Sequence, residues 1–188
     1  MQLANVLNRA QVWPELPENA RYKALPGRPV VLMCPEPEKY GELVLPDYLA
    51  GNLRPDAGVI AAIHAVDGLE VGTRVYLRPY VGLFVQTEEG WYRMVGRERF
   101  ADEDTLSNVC WSEHIVAFED GTPTPGNVKI HRKEQESIIL QLENWSDRVD
   151  ILSGEHQGKQ AIWKYSDQAL QFGDDLIVPE CEIEVLYE

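Results

Sequence analysis

Pro29-Val30-Val31-Leu32-Met33-Cys34 is a short unbroken apolar run containing two adjacent β-branched residues. It is too short for an ordinary helix and has no polar side, which is the pattern of a strand buried on both faces. Pro35-Glu36-Pro37-Glu38-Lys39 breaks it. Working outward, further strands are expected at Gly58–His64, Arg74–Pro79, Gly82–Gln86, Trp91–Val95 and His114–Phe118. The turn signals Asp67-Gly68 and Glu89-Gly90 and the polar stretch Arg97–Ser107 separate them. Many short strands with regular turns indicate an all-β barrel or sandwich, because closing or stacking an antiparallel sheet disposes of its open edges.

Upstream, Leu3, Val6, Leu7 and Ala10 stand at helical spacing and predict one short amphipathic helix, ended by Pro14 and Pro17. Downstream, Gly121-Thr122-Pro123-Thr124-Pro125-Gly126 has the composition of an extended linker. Beyond it, Val128–His131, Ser137–Leu142, Arg148–Leu152, Gln160–Tyr165, Leu176–Val178 and Glu182–Leu186 again read as short strands. The expected organisation is an N-terminal arm over 1–27, a β domain over 28–120, a linker over 121–126 and a second, smaller β domain over 127–188.

Seventeen basic against 31 acidic residues give a net charge of −14, which argues against a nucleic-acid partner, since releasing phosphate counterions needs a basic face. It argues equally against an anionic membrane surface. No apolar stretch approaches the roughly 20 residues of a membrane helix, and no basic segment followed by a long apolar run opens the chain. The expected location is the cytoplasm. Cys34, Cys110 and Cys181 lie far apart without a CxxC pair, so they are expected as buried, reduced, small apolar residues.

The sequence contains no phosphate-binding glycine loop, no nucleophile elbow and no HExxH. His64, His114, His131 and His156 are scattered without a second ligand at metal-binding spacing. Asp174-Asp175 are strand neighbours that point to opposite faces, so they fit a turn better than a shared proton or metal. Asp102-Glu103-Asp104 reads as a solvated loop lacking the glycine and terminal glutamate of a calcium loop. The five tryptophans are spaced too widely for one stacking platform. No catalytic residue, metal ligand or cofactor is expected, and the chain is not expected to be an enzyme.

Six segments in order resemble the GroES-type co-chaperonin family. Arg28-Pro29-Val30-Val31-Leu32 is similar to the family's opening strand, and Pro35 to about Arg54 occupies the place of its mobile loop. That loop carries Gly41-Glu42-Leu43-Val44-Leu45-Pro46, where the family has a glycine, an aliphatic tripeptide and a proline. Gly58–Ile63 resembles the strand leaving the loop. Val71-Gly72-Thr73-Arg74-Val75-Tyr76 is similar to the valine-glycine-aspartate-x-valine step, with threonine in place of aspartate. Tyr80-Val81-Gly82 and Ser112–Ala117 then match the next turn and the closing strand.

The resemblance implies a GroES-like β-barrel over 28–120. Its partner would be a GroEL-type chaperonin, bound through Leu43, Val44 and Leu45 and capped by a homo-oligomeric ring, a heptamer in the family. ATP would bind that partner and not this chain. The loop also makes physical sense by itself: three aliphatic residues framed by Gly41, Pro46 and charged neighbours have little local surface to bury against and can dock into a partner's groove. Between Ile63 and Val71 only His64–Glu70 remains, shorter than the hairpin that roofs bacterial relatives. In the second half, Ser137–Leu140, Arg148–Gly154, Phe172–Val178 and Glu182–Leu186 echo loop, exit strand, glycine-aspartate step and closing strand. That half is therefore either a degenerate second copy or an ordinary β domain. The competing reading of the whole chain is a structural or assembly protein, such as a virion subunit, built on the same barrel.

Overall fold

The computed structural model describes residues 12–18, 23–35, 39–40, 43–44, 56–78, 81–88, 90–95, 111–133, 146–164 and 169–187. The protein is all-β: the described residues form antiparallel sheets and contain no α-helix. The chain makes two compact units, residues 1–115 and 116–188. The stretch 121–126, expected as a linker, falls inside the second unit, where Phe118 N–H donates to Thr122 O and Thr124 N–H to Val116 O. The helix expected within the arm lies outside the described residues, apart from Val12 and Trp13, which are in neither helix nor strand.

The first sheet contains β1 (Val30–Met33), β4 (Ala57–Ala62), β5 (Arg74–Leu77), β6 (Leu83–Thr87), β7 (Gly90–Met94) and β8 (Ile115–Phe118). Between β1 and β4 the chain inserts a hairpin of β2 (Lys39–Tyr40) and β3 (Leu43–Val44). The second sheet contains β9 (Asn127–Arg132), β10 (Ser146–Ile151), β11 (Gln160–Lys164), β12 (Leu170–Phe172), β13 (Asp175–Pro179) and β14 (Ile183–Tyr187). Their orders are β6-β7-β1-β4-β5-β8 and β12-β13-β9-β10-β11-β14. With the inserted hairpin set aside, both read fourth, fifth, first, second, third, sixth.

The likeness extends to individual hydrogen bonds. Between the second and third strands of the first sheet, Ile60 N–H donates to Thr73 O, Gly72 N–H to Ile60 O and Thr73 N–H to Glu70 O. In the second sheet Ile151 N–H donates to Lys159 O, Gly158 N–H to Ile151 O and Lys159 N–H to His156 O. Gly72 (φ +92°) and Gly158 (φ +85°) take the left-handed backbone that this turn requires, and each follows another positive-φ glycine, Gly68 or Gly154, by four residues. A 3₁₀ turn, Trp111–Glu113 or Glu180–Glu182, precedes the sixth strand in each case. This corrects one expectation. The counterpart of the Val71–Val75 step is Gln157-Gly158-Lys159, whereas Gly173-Asp174 turns the β12–β13 hairpin.

All four residues of β1 are buried, as its composition predicts. Val30 and Leu32 cluster with Ala24, Ala61 and Tyr92, with Leu16, Ala62 and Met94 packed against them. By strand alternation, Val31 and Met33 face the other way and are buried as well. The second sheet has a core of Val128, Ile130, Val149, Ile151, Ala161, Trp163, Leu176 and Val178, capped by Ala169, Ile183 and Leu186. Each fully buried aliphatic contributes about 1.5–3 kcal/mol. Cys34 is buried as expected, but Cys181 is exposed, since it sits in a 3₁₀ turn none of whose residues is buried; Cys110 lies outside the described residues.

Candidate partner-binding site

The excursion from Met33 to Ala57 is anchored before it begins. Cys34 N–H donates to Ala57 O at 2.9 Å, closing its stem, and Leu77 N–H donates to Asp56 O at 2.7 Å. At Gly58 the strands lie so close that a Cβ would strike the Leu32 carbonyl oxygen and Val31 Cγ1, so glycine is required where β4 meets β1.

Beside this stem stands Arg93, fully buried and the only charged residue so placed among the described residues. Its Nη1 meets Asp56 Oδ1 at 2.8 Å, Nη2 donates to Arg78 O at 3.0 Å and Nε donates to Val81 O. The guanidinium also lies 4.6 Å from the Phe84 ring centre. One side chain of β7 thus joins the start of β4, the end of β5 and the start of β6. Burial raises the Asp56 carboxyl above its ordinary value, although the hydrogen bond and positive charge of Arg93 pull it down. The sequence reading missed this arginine. Its signal was its phase: Arg93 falls between Trp91 and Val95 on the alternation of that strand.

Of the three residues expected to bind a partner, Leu43 and Val44 form β3, with Tyr40 opposite Leu43 and Lys39 opposite Val44. Leu45 lies outside the described residues. The β2–β3 hairpin is a sheet of its own and joins neither six-stranded sheet. Two-stranded ribbons of this length are marginal in water. Asp174 and Asp175 stand at the β12–β13 turn, where Asp175 Oδ1 lies 2.8 Å from His131 Nδ1. No three His, Cys, Asp or Glu side chains converge on a common point among the described residues. Among the described residues no helix is long and apolar enough to cross a membrane.

No protein-family model matches this chain, and no curated protein is similar to it in sequence.

Proposed function

We propose that the chain is a divergent co-chaperonin that binds and caps a GroEL-type chaperonin through Leu43, Val44 and Leu45. The observation that carries this reading is the inserted β2–β3 hairpin. It places aliphatic residues outside both six-stranded sheets, on a stem fixed by Cys34–Ala57 and by the Asp56–Arg93 pair. A marginal ribbon on a rigid root suits a segment that orders only against its partner's groove. Ordering it costs about 2–5 kcal/mol of the gross contact energy, so a single hairpin binds weakly. Several hairpins on one homo-oligomeric ring recover that loss through effective concentration.

In this reading the first sheet, over residues 28–120, is the GroES-like barrel, and the second sheet is a degenerate copy of it. The shared strand order and the paired Gly72 and Gly158 turns support the second statement. The chain performs no chemistry itself, needs no cofactor, and leaves ATP to its cytoplasmic partner. The test is co-migration of the purified chain with a GroEL-type ring with and without ATP. Co-migration only with nucleotide supports the cap. A chain that stays apart under both conditions is instead an assembly protein on the same fold.

A further inference from the structure

Two Asp-Gly steps occur in the sequence, Asp67-Gly68 and Asp120-Gly121. An aspartate before glycine is the one most open to attack by its own backbone, because glycine has no Cβ to hinder its amide nitrogen. In the second unit three contacts oppose that attack. The Gly121 N–H is spent on Phe118 O at 2.9 Å, and the Asp120 carboxylate accepts the Thr122 N–H at 2.8 Å. The Thr122 contacts hold the Asp120 carboxyl below its ordinary value, so its neutral, reactive form is scarce. Gly121 is also wedged against the Phe172 ring, which a Cβ there would strike.

Asp67-Gly68 has none of these restraints. It turns the chain between β4 and β5, with both residues exposed and Gly68 at φ +79°. Among the described residues nothing bonds the Asp67 carboxyl or the Gly68 N–H. The bond that this peptide does make favours the attack. Trp111 Nε1 donates to Asp67 O at 2.9 Å, and Trp111 Cζ2 lies 3.7 Å from where a Gly68 Cβ would stand. A donor on the carbonyl draws charge from the amide and makes the Gly68 N–H more acidic. At the matching place in the second sheet stands Ser153, before Gly154; its Oγ accepts the Lys129 N–H, and it has no carboxyl to react.

We infer that Asp67-Gly68 is a site of spontaneous aspartate isomerisation, whereas Asp120-Gly121 is held inert by its fold. The Gly68 nitrogen loses its proton and bonds to Asp67 Cγ, and the carboxyl hydroxyl leaves with that proton as one water. The product is a five-membered succinimide joining Asp67 and Gly68. Water then adds back. Opening the ring between the Gly68 nitrogen and Asp67 Cγ restores aspartate. Opening it between that nitrogen and the Asp67 main-chain carbonyl gives isoaspartate. No electrons are exchanged, and water is the only co-reactant. Isoaspartate carries the main chain through the Asp67 side chain, one carbon longer, and turns the carbonyl that Trp111 Nε1 bonds into a free carboxylate. Neither the hairpin nor a partner enters this chemistry, so it stands apart from the capping role.

The test incubates the full chain at neutral pH, once folded and once in urea. Electron-transfer fragmentation of its peptides locates isoaspartate, which breaks at its Cα–Cβ bond, and the succinimide appears as a species lighter by one water. In the folded chain isoaspartate should build up at residue 67 roughly tenfold or more faster than at residue 120, the ratio that a local-opening cost of about 1.4 kcal/mol at Asp120 produces. In urea the two rates should converge. Asp67→Glu, whose longer side chain would have to close a six-membered ring, should stay unmodified at that position with the circular dichroism of the wild type. The Trp111 indole resonance, assigned by its loss in Trp111→Phe, should move to a second position at the rate at which isoaspartate appears. Equal rates at both residues in the folded chain, a residue 67 that converts only in urea, or an Asp120 that stays inert even in urea would each overturn the inference. An indole resonance that ignores the conversion would overturn its link to Trp111.

Discussion

The two sheets share one strand order and one glycine turn but differ in what is attached to the frame. The second builds one apolar cluster around Trp163 and, as β1 does in the first, buries both faces of one strand, β13, through Leu176 and Val178 on one side and Ile177 on the other. The first also lays an arm across one face of β1, sinks an arginine of β7 against Asp56 and inserts a hairpin between its first two strands. A frame that folds twice from unrelated-looking sequence is set by strand length, turn chemistry and inward apolar residues. The additions that, among the described residues, occur in one sheet alone are what folding does not demand. The hairpin, the clamp at its root and the arm belong to that class, and they are where a partner would be met.

The largest effect that bears on this contrast is expected in the plain sheet. Leu77 and Trp163 each stand four residues beyond the equivalent carbonyls of Thr73 and Lys159, and both are buried. Trp163→Ala should cost about 3–5 kcal/mol, the usual range for emptying a buried aromatic site. It also leaves Glu182 Oε2 without its indole donor. Urea unfolding followed by amide exchange should place that loss in residues 116–188. A loss spread equally over residues 1–115 would mean that the two units are not separate folding entities.

Next comes the clamp. Arg93→Met leaves Asp56, Arg78 O and Val81 O without their donor and should destabilise the first unit by about 3 kcal/mol. Amide exchange should quicken first at Leu77 and Gly82–Phe84. An Arg93→Met chain as stable as the wild type would show that the clamp does not hold the first sheet together.

The smallest effect concerns acid. Asp120 accepts hydrogen bonds from Thr122, which hold its carboxyl below the ordinary value. A depressed carboxyl binds its proton less readily in the fold than when unfolded. Its contribution is therefore present above the unfolded value and disappears as pH falls through the folded one. Asp56 runs the other way: its raised carboxyl favours the protonated fold, so its contribution declines as pH rises through the interval just above the ordinary value. Asp120→Asn should flatten the acid limb of the melting curve of the second unit only. An unchanged limb would show that the Thr122 contacts carry no pH dependence.

How much of this could be read from sequence depended on whether burial or backbone geometry decided the element. Val30–Met33 was legible because it is apolar throughout and flanked by prolines. The strands at β4, β5 and β8 were legible for similar reasons. Arg93 was not, since a charged residue in a strand is ordinarily read as solvent-facing, and only three carbonyl and carboxylate acceptors at its tip make burial tolerable. The second glycine turn was hidden behind a preference for aspartate after glycine. The turn needs positive φ at Gly158 and nothing from the next side chain, so Lys159 serves as well as Thr73. At the hairpin, sequence pointed to Leu43-Val44-Leu45, and the structure adds a separate ribbon that contains Leu43 and Val44 and an anchored stem at Cys34 and Ala57.

The proposal turns on this hairpin, and not the surface of the first sheet, gripping the partner. The most direct measurement compares the wild type with the triple variant Leu43→Ser, Val44→Ser, Leu45→Ser for ATP-dependent co-migration with a GroEL-type ring. The account predicts that the triple variant loses co-migration while its circular dichroism and melting curve stay those of the wild type. A folded triple variant that still travels with the ring would contradict it.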